Sequence, residues 1–157
     1  MRIRPATEGD AVLAAELWTE AYTGRGPGGR TAPYDASEYA TVTRSGRLFV
    51  AERDGAAVAI VAFFPPGAAG RVIGGAGEAE LSRLAVTAPA RRDGIGRALA
   101  ELCGAEARAS GATAIVLWSR PYQVEAHRLY ESLGYRRAPE RDSRDDDGER
   151  LVFVLEL

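Results

Sequence analysis

The chain has 157 residues, of which 46% are hydrophobic and 27% charged, and its formal net charge at pH 7 is -2. This length and composition predict one soluble domain over residues 1–157, with a substantial hydrophobic core. A net charge near zero argues against a nucleic-acid-binding protein, and no apolar run approaches the roughly 20 residues of a membrane span. The single cysteine excludes an intrachain disulfide, and with one histidine we expect no metal site. We expect a cytoplasmic protein without a signal peptide.

The first half of the chain predicts two helices and a β-hairpin. A short extended start at residues 2–7 precedes apolar residues at helical spacing over 10–22, with Thr7 or Asp10 as the cap. Residues 23–33 contain four glycines and two prolines, which predicts a mobile loop. A second helix is predicted over 35–44. The apolar runs 48–52 and 56–64 flank Asp54-Gly55, a favoured turn pair, and predict a hairpin.

The second half alternates strands and helices. A glycine-rich connection at 68–79 leads into a strand at 79–86, and helical spacing from Gly94 predicts a helix that ends at Ser110-Gly111. The apolar run 113–119 predicts a strand buried on both faces. A further helix ends at Gly134, and strands at 135–138 and 150–157 flank a charged loop. This order predicts a mixed α/β or α+β fold in which residues 80–119 connect two parallel strands.

Residues 91–98, RRDGIGRA, place two arginines and two glycines at the predicted start of a helix. The first turn of a helix leaves about four backbone N–H groups unpaired and carries a partial positive charge. Gly94 and Gly96 lack the Cβ atoms that would keep a ligand from those groups, and Arg91 and Arg92 can bind phosphate oxygens. The pattern predicts a pyrophosphate site; the alternative is a loop with solvated arginines.

Two common nucleotide-binding motifs do not fit these residues. A Walker A loop requires a lysine after its last glycine, which is absent here. A Rossmann fingerprint has a third small residue where Leu99 stands, and its helix follows the strand almost directly. Here about seven residues separate Val86 from Gly94, so a dinucleotide-binding fold is disfavoured.

Residues 79–99, AELSRLAVTAPARRDGIGRAL, followed by AHRLYESLGY at 126–135, resemble the GCN5-related N-acetyltransferase (GNAT) family. The cofactor motif of that family is Arg or Gln, two residues, Gly, one residue, then Gly or Ala, and it is matched by Arg91, Gly94 and Gly96. The strong resemblance covers about residues 79–135, and the weaker match of layout covers the whole chain. It implies a GNAT fold, a mostly antiparallel twisted sheet with one splayed parallel strand pair and flanking helices.

The resemblance implies that the cofactor is acetyl-CoA or another acyl-CoA. Its pyrophosphate is expected on the backbone N–H groups of Arg92, Asp93, Gly94, Ile95, Gly96, Arg97 and Ala98. The pantetheine arm is expected along Leu84, Ala85 and Val86, where splayed strands leave backbone groups free to pair with it. Gln123 and Ala126 are assigned to the same site, although the family often has asparagine where Gln123 stands.

Acetyl transfer to an amine requires a deprotonated amine, a donor for the oxyanion and a donor for the departing thiolate. The resemblance makes Tyr130 the candidate donor to the thiolate, although its helical stripe also fits a core position. Glu80 is the candidate general base; alternatively it is a strand-edge carboxylate or binds the substrate ammonium. The oxyanion donor is expected among the backbone N–H groups of residues 84–86. His127 is expected at the surface, and Cys103, on the core stripe, is not expected to be acylated.

The predicted function is therefore N-acetylation of a primary amine by direct attack in a ternary complex with acetyl-CoA. The acceptor is left open among a small-molecule amine, an amino acid and a peptide amine. Aromatic residues are predicted either at the acceptor rim or in the core, namely Trp18, Tyr22, Tyr34, Trp118 and Tyr122. The run Asp145–Asp147 is interpreted as a solvated turn, and a homodimer is compatible with the family. Rival functions are a non-catalytic acyl-CoA-sensing module and a nucleotide- or nucleic-acid-binding domain.

Overall fold

The computed structural model of the chain describes residues 1–26 and 29–157. Residues 27 and 28 belong to the glycine-rich stretch predicted as a mobile loop, and that part of the prediction lies outside the described residues. No helix in the two described ranges is long and apolar enough to cross a membrane.

The described chain forms one mixed sheet of eight strands. These are β1 (Arg2–Pro5), β2 (Arg47–Arg53), β3 (Ala56–Phe64), β4 (Glu78–Val86), β5 (Ala114–Ser119), β6 (Arg136–Arg137), β7 (Ser143–Asp145) and β8 (Gly148–Glu156). The strand order is β1-β2-β3-β4-β5-β8-β6, with β7 paired to β8. Only β4 and β5 run parallel among these pairs, which confirms the predicted fold class and its single parallel pair.

Helices cover both faces of the sheet. They are α1 (Ala11–Tyr22), α2 (Ser37–Thr43), α3 (Ile95–Ala109) and α4 (Val124–Ser132). Successive strand residues point to opposite faces, so Ile60 of β3 packs with Trp18 of α1, whereas Val61 packs with Leu99 of α3. The sheet therefore separates an α1–α2 layer from an α3–α4 layer. A ligand can enter the fold only where these layers leave a gap.

Local turn chemistry explains the predicted hairpin. Asp54 and Gly55 both have positive φ, 53° and 79°, the conformation that joins antiparallel strands through a two-residue turn. The chain reverses so that Arg53 pairs with Ala56. The hairpin prediction is confirmed.

The charged stretch at 140–149 differs from its prediction. It contains β7, and the carboxylate of Asp145 accepts two hydrogen bonds of 2.9 Å from the buried Arg120. The predicted turn is present at Asp146 and Asp147, but the interpretation of the Asp145 side chain as solvated is wrong. The reason is that its partner Arg120 lies 25 residues away in sequence, beyond the range of local patterns.

Strands β4 and β5 separate after a short paired segment. Their register contains Glu78 with Ala114, Ala79 with Ile115 and Glu80 with Val116, whereas β5 stays paired with β8 along its whole length. A register shift between β3 and β4 accompanies the positive φ of 52° at Arg83, which is the signature of a β-bulge that bends the strand. The bend opens the gap that holds the site.

Candidate active site

Two cavities meet in the gap between β4 and β5. The first, called here the large groove, measures about 980 Å³ and follows β4, the start of α3 and α4. The second, called here the small cavity, measures about 260 Å³ and lies among the residues that follow α1, the β4 bulge, the end of β5 and the β7–β8 turn. Among the described residues, four line both cavities: Leu84, Tyr122, Gln123 and Tyr130. We call this shared set the junction.

The large groove contains a run of free backbone donors at the start of α3. Among the described residues, no hydrogen-bond acceptor is present for the amides of residues 92–97, whereas the amide of Ala98 donates to the Gly94 carbonyl at 3.0 Å. Gly94 has a φ of 78°, and no described atom lies within 4 Å of an added Cβ. A free helix N-terminus open to a groove is suited to bind a phosphate group.

Arginine side chains surround this helix start. Arg91 is oriented by a 3.1 Å hydrogen bond from its Nε to the Val86 carbonyl. The arginines that line the groove are Arg25, Arg91, Arg92, Arg97 and Arg128. Five guanidinium groups beside a set of free amides fit the phosphate groups of coenzyme A. Arg25 and Arg128 escaped the sequence analysis because neither belongs to the motif.

The predicted cofactor residues divide into two groups. Those that line the large groove are Leu84, Ala85, Val86, Arg91, Arg92, Gly94, Gly96, Arg97, Gln123 and Ala126. The side chains of the other three do not line it: Asp93 forms an ion pair with Arg53, Ile95 is buried in the core, and the Ala98 amide is already bonded. The free amides therefore end at Arg97, one residue earlier than predicted.

Tyr130 lies in the junction. Its side chain is buried against the rings of Tyr135 and Phe153, at centroid distances of 5.7 and 6.0 Å. Burial raises the pKa of the Tyr130 phenol above its ordinary value of 10.0, so the hydroxyl keeps its proton throughout the physiological range. Tyr130 therefore combines the core position and the site position that its sequence pattern allowed.

Side chains from α1 bind the carbonyl groups of the β4 bulge. Trp18 Nε1 donates to the Arg83 carbonyl at 3.1 Å, and the Tyr22 hydroxyl donates to the Leu84 carbonyl. These bonds satisfy acceptors that a regular ladder would otherwise pair. Tyr22 thereby fixes one wall of the junction.

Gln123 shapes the turn that follows β5. Its Oε1 accepts hydrogen bonds from the Ser119 hydroxyl at 3.0 Å and the Arg120 amide at 2.8 Å. His127 Nε2 lies 3.0 Å from the Arg120 carbonyl and 3.2 Å from Ser119 Oγ. Since a carbonyl only accepts, this Nε2 carries a hydrogen and has no lone pair directed at Ser119. His127 consequently does not activate Ser119 as a nucleophile.

Glu80 lies outside the linings of both cavities. Its side chain is fully buried, and its carboxylate accepts hydrogen bonds from the amides of Val72, Ile73 and Gly74 at 2.9–3.0 Å. Burial raises the pKa of the Glu80 carboxyl, and the three amides oppose that shift. This placement favours the structural alternative over the general base, because a base has to reach the proton that it removes.

Most of the predicted acceptor-rim aromatics do line the small cavity. Tyr22, Tyr34, Trp118 and Tyr122 are among its walls, whereas Trp18 is fully buried in the core. The walls also carry seven charged side chains: Arg30, Glu38, Arg83, Arg120, Asp145, Asp147 and Arg150. The sequence analysis singled out only Asp145 and Asp147, as parts of a turn.

Comparison with known proteins agrees with this geometry. The model of the acetyltransferase (GNAT) family matches residues 13–135. The chain belongs to the GNAT acetyltransferase family. It is therefore an acetyl-CoA-dependent acyltransferase, which confirms the predicted family, enzyme class and cofactor.

Relatives of this GNAT chain share its fold at low sequence identity. A ribosomal-protein-alanine N-acetyltransferase from Brucella melitensis has a TM-score of 0.78 at 21% identity, with 100% of each chain covered. A putative acetyltransferase from Salmonella typhimurium, solved with its cofactor acetyl-CoA, has a TM-score of 0.78 at 20% identity over 99% of this chain and 93% of that one.

One curated relative is more similar in sequence over a shorter segment. The N-acetylaspartate synthetase of Danio rerio is 38% identical over 82 residues, 48% of this GNAT chain and 29% of that protein. The match thus covers less than a third of the relative.

Blocking the helix start should abolish cofactor binding. We expect Gly94→Glu to lose measurable affinity for coenzyme A, because the new carboxylate occupies the phosphate position and repels phosphate. Gly111→Glu is the matched control: Gly111 has a φ of 75°, also has open space around an added Cβ, and lies at the other end of α3. Calorimetric titration with coenzyme A should show wild-type affinity in the control; equal affinity in a folded Gly94→Glu variant would contradict the site.

Removing the charge of Glu80 should cost stability without moving the pH profile of the reaction. A glutamine presents a neutral oxygen and an N–H2 donor where the two carboxylate oxygens of Glu80 accept from three amides, with the Val72 amide bonded to both, so we expect Glu80→Gln to lower the free energy of unfolding by about 1–3 kcal/mol. The pH at which kcat/KM for the amine reaches half its maximum should stay unchanged. Glu78→Gln, two residues along β4 and bonded to Arg141, is the control. A lost pH-dependent limb in Glu80→Gln alone would reinstate Glu80 as the base.

Proposed function

We propose that the chain transfers an acetyl group from acetyl-CoA to a primary amine by direct attack, with donor and acceptor bound together. The observation that carries this proposal is the junction of the two cavities. The large groove suits coenzyme A, the small cavity suits an acceptor, and both are lined by Leu84, Tyr122, Gln123 and Tyr130. Two ligands in these cavities would face each other at one point, which favours reaction through proximity.

The large groove would hold the cofactor through groups of this chain. The amides of residues 92–97 and the groove arginines would bind its phosphates, and the unpaired edge of β4 at 84–86 would bind its amide-rich arm. When bound, acetyl-CoA supplies an activated acyl group and a thiol leaving group. The β4 edge would also supply the backbone N–H that stabilises the oxyanion.

Tyr130 is proposed as the hydrogen-bond donor to the leaving sulfur. It lines the junction, and burial keeps its phenol neutral by raising its pKa. A thiol has an ordinary pKa near 8.5, below that of the phenol, so complete proton transfer from Tyr130 would be unfavourable. The hydroxyl therefore acts by donating a hydrogen bond to the developing thiolate.

Direct attack is favoured because Cys103 and Ser119 are unsuited to form an acyl-enzyme. Cys103 is fully buried, and burial raises the pKa of its thiol, which suppresses the reactive thiolate. The Ser119 hydroxyl donates to Gln123 and has no base directed at it. Transfer straight to the amine needs neither residue.

The acceptor amine also has to lose a proton. The four junction residues include no carboxylate, and Glu80 is sealed by its three amide partners. We propose that water in the small cavity accepts the proton of the ammonium before attack. The pH dependence of kcat/KM would then follow the pKa of the acceptor itself.

The names of the relatives suggest two classes of acceptor. One relative is called N-acetylaspartate synthetase, which names an amino acid, and another is called ribosomal-protein-alanine N-acetyltransferase, which names an alanine of a protein. A cavity of about 260 Å³ is small for a ligand site. It suits a free amino acid or one terminal residue of a peptide.

The test of the proposed function is thiol release from acetyl-CoA over a panel of amines, with the acetylated amine identified by mass spectrometry. We expect release only when an amine is present, and no acetyl group left on the protein. The chain contains no lysine, so self-acetylation of side-chain amines adds no background. A thermal shift with coenzyme A, but no thiol release with any amine, would instead identify a sensing module.

Deleting the hydroxyl of Tyr130 should lower turnover more than cofactor affinity. A hydrogen bond to a charged group contributes about 1.5–3 kcal/mol, so we expect Tyr130→Phe to reduce kcat by ~10–100-fold and to change the Kd of coenzyme A little. Tyr135→Phe is the control, since its hydroxyl is also buried, lacks a described partner and does not line the junction. Equal turnover in the two variants would return Tyr130 to a purely structural role.

A further inference from the structure

We infer that the acceptor of this enzyme is a small amine that carries a free carboxylate, held by Arg83 and Arg30 at one wall of the small cavity. The inference rests on the proposed function and specifies its acceptor class as an amino acid with an unblocked carboxyl group. It excludes the terminal amine of a peptide as the preferred acceptor, because there the carboxyl is part of an amide.

The charged side chains of the small cavity form two clusters that differ in net charge. The α2-side cluster consists of Arg30, Tyr34, Glu38 and Arg83, and the β8-side cluster of Trp118, Arg120, Asp145, Asp147 and Arg150. Two arginines and one glutamate give the first a formal charge of +1. Two arginines and two aspartates make the second neutral. An anionic group entering the cavity is therefore attracted to the α2-side cluster.

Arg83 is directed into the cavity by the β4 bulge. It is a non-glycine residue with a φ of 52°, a conformation that persists only when its surroundings enforce it and that often marks a functional site. Its ion pair with Glu38 is long, at 3.3 Å, and its other bond reaches Ser82 Oγ at 3.3 Å. Arg83 also directly precedes Leu84 of the junction. Arg83 is therefore placed to bind one end of a small acceptor whose amine lies at the junction.

Arg30 adds a second positive charge to this cluster, and that charge also acts on Asp35. Its guanidinium stacks over the Tyr34 ring at 4.0 Å, and its described hydrogen bonds go only to the carbonyls of Ala32 and Pro33. No carboxylate of the described chain lies within 4 Å of it. A planar, stacked guanidinium retains free donors for a carboxylate, so Arg30 and Arg83 offer two guanidinium groups in a cluster whose one glutamate, Glu38, pairs with Arg83.

The opposite wall suits the amine. In the β8-side cluster, Arg120 and Arg150 both contact the carboxylate of Asp145, at 2.9 and 3.0 Å. Asp147 has no ion pair within the same limit among the described residues, and its charge acts both on Tyr122 of the junction and on Tyr34 of the α2-side cluster. An amino acid would therefore orient with its carboxylate toward Arg30 and Arg83 and its ammonium toward Asp147 and the junction.

Matched pairs of amino acid and amino acid amide test this inference. L-alanine and L-alaninamide differ only in the carboxyl group, and glycine, L-aspartate and L-leucine with their α-amides extend the panel. We expect kcat/KM from thiol release to favour the acid at least ~10-fold in the reactive pairs, the effect of one charge-assisted hydrogen bond. The comparison is stringent, because the less basic amine of an amide loses its proton more readily.

Substitutions of Arg83 and Arg30 test whether these residues cause the preference for acids over amides. In Arg83→Gln and Arg30→Gln we expect KM for the acids to rise ~10-fold or more, while kcat/KM for the amides changes little. Arg136→Gln is the matched control for charge, since Arg136 is exposed and pairs with Glu156 outside the cavity. It should behave as wild type with both classes of substrate.

The outcomes separate the two proposals. Three results would overturn the inference and leave the acetyltransferase function intact. They are equal kcat/KM values for acids and amides, a higher kcat/KM for an alanyl peptide, and an equal loss of kcat/KM for both classes in Arg83→Gln. If coenzyme A binds but no amine gives thiol release, the proposed function itself would be overturned. Acid preference that disappears in Arg83→Gln and persists in Arg136→Gln would establish the carboxylate site.

Discussion

The separation of β4 from β5 is the constraint on which the site depends. Pairing stops at Glu80 and Val116 because β5 follows β8, while the bulge at Arg83 bends β4 away. Unpaired backbone inside a fold is costly, and three side chains offset part of that cost. Trp18, Tyr22 and Arg91 donate to the carbonyls of residues 83, 84 and 86. The groups that remain free on this edge are those a ligand can pair with.

Local charge matters more here than net charge. The chain as a whole is slightly acidic, yet five arginines line the large groove together with a single glutamate, Glu125. A field of this kind attracts a phosphate-bearing ligand over a distance of about one Debye length. The same reasoning applies to the small cavity, where most charges are paired and a difference of one charge between its walls sets the polarity. An overall formal charge of -2 excludes a globally basic surface, but it does not determine the electric field inside an individual cavity.

What the sequence predicts well is what neighbouring residues determine. The hairpin turn at Asp54-Gly55 and the glycine-marked start of α3 depend on local backbone preferences, and the structure contains both. Glu80 shows the limit, because its environment is created by amides of a connection that only the fold brings over it. The small cavity is a stronger case, since its charged walls come from five separate segments. No periodicity or motif in the sequence predicts that Arg120 and Arg150 both form ion pairs with Asp145.

Under the proposed function, donor and acceptor recognition are separable in this architecture. The free amides and motif residues of the donor side lie within 79–135, the segment that carries the family resemblance. Several acceptor-side groups lie outside it, among them Arg30, Glu38, Asp147 and Arg150. Structural relatives at 20–21% identity can therefore share the fold without sharing an acceptor. Because the described residues shared by the two cavities are the four of the junction, changes in the outer clusters would, under the proposed function, alter the acceptor while the donor geometry stays intact. Family membership thus accounts for the donor, and the acceptor has to be inferred from the charges of this chain.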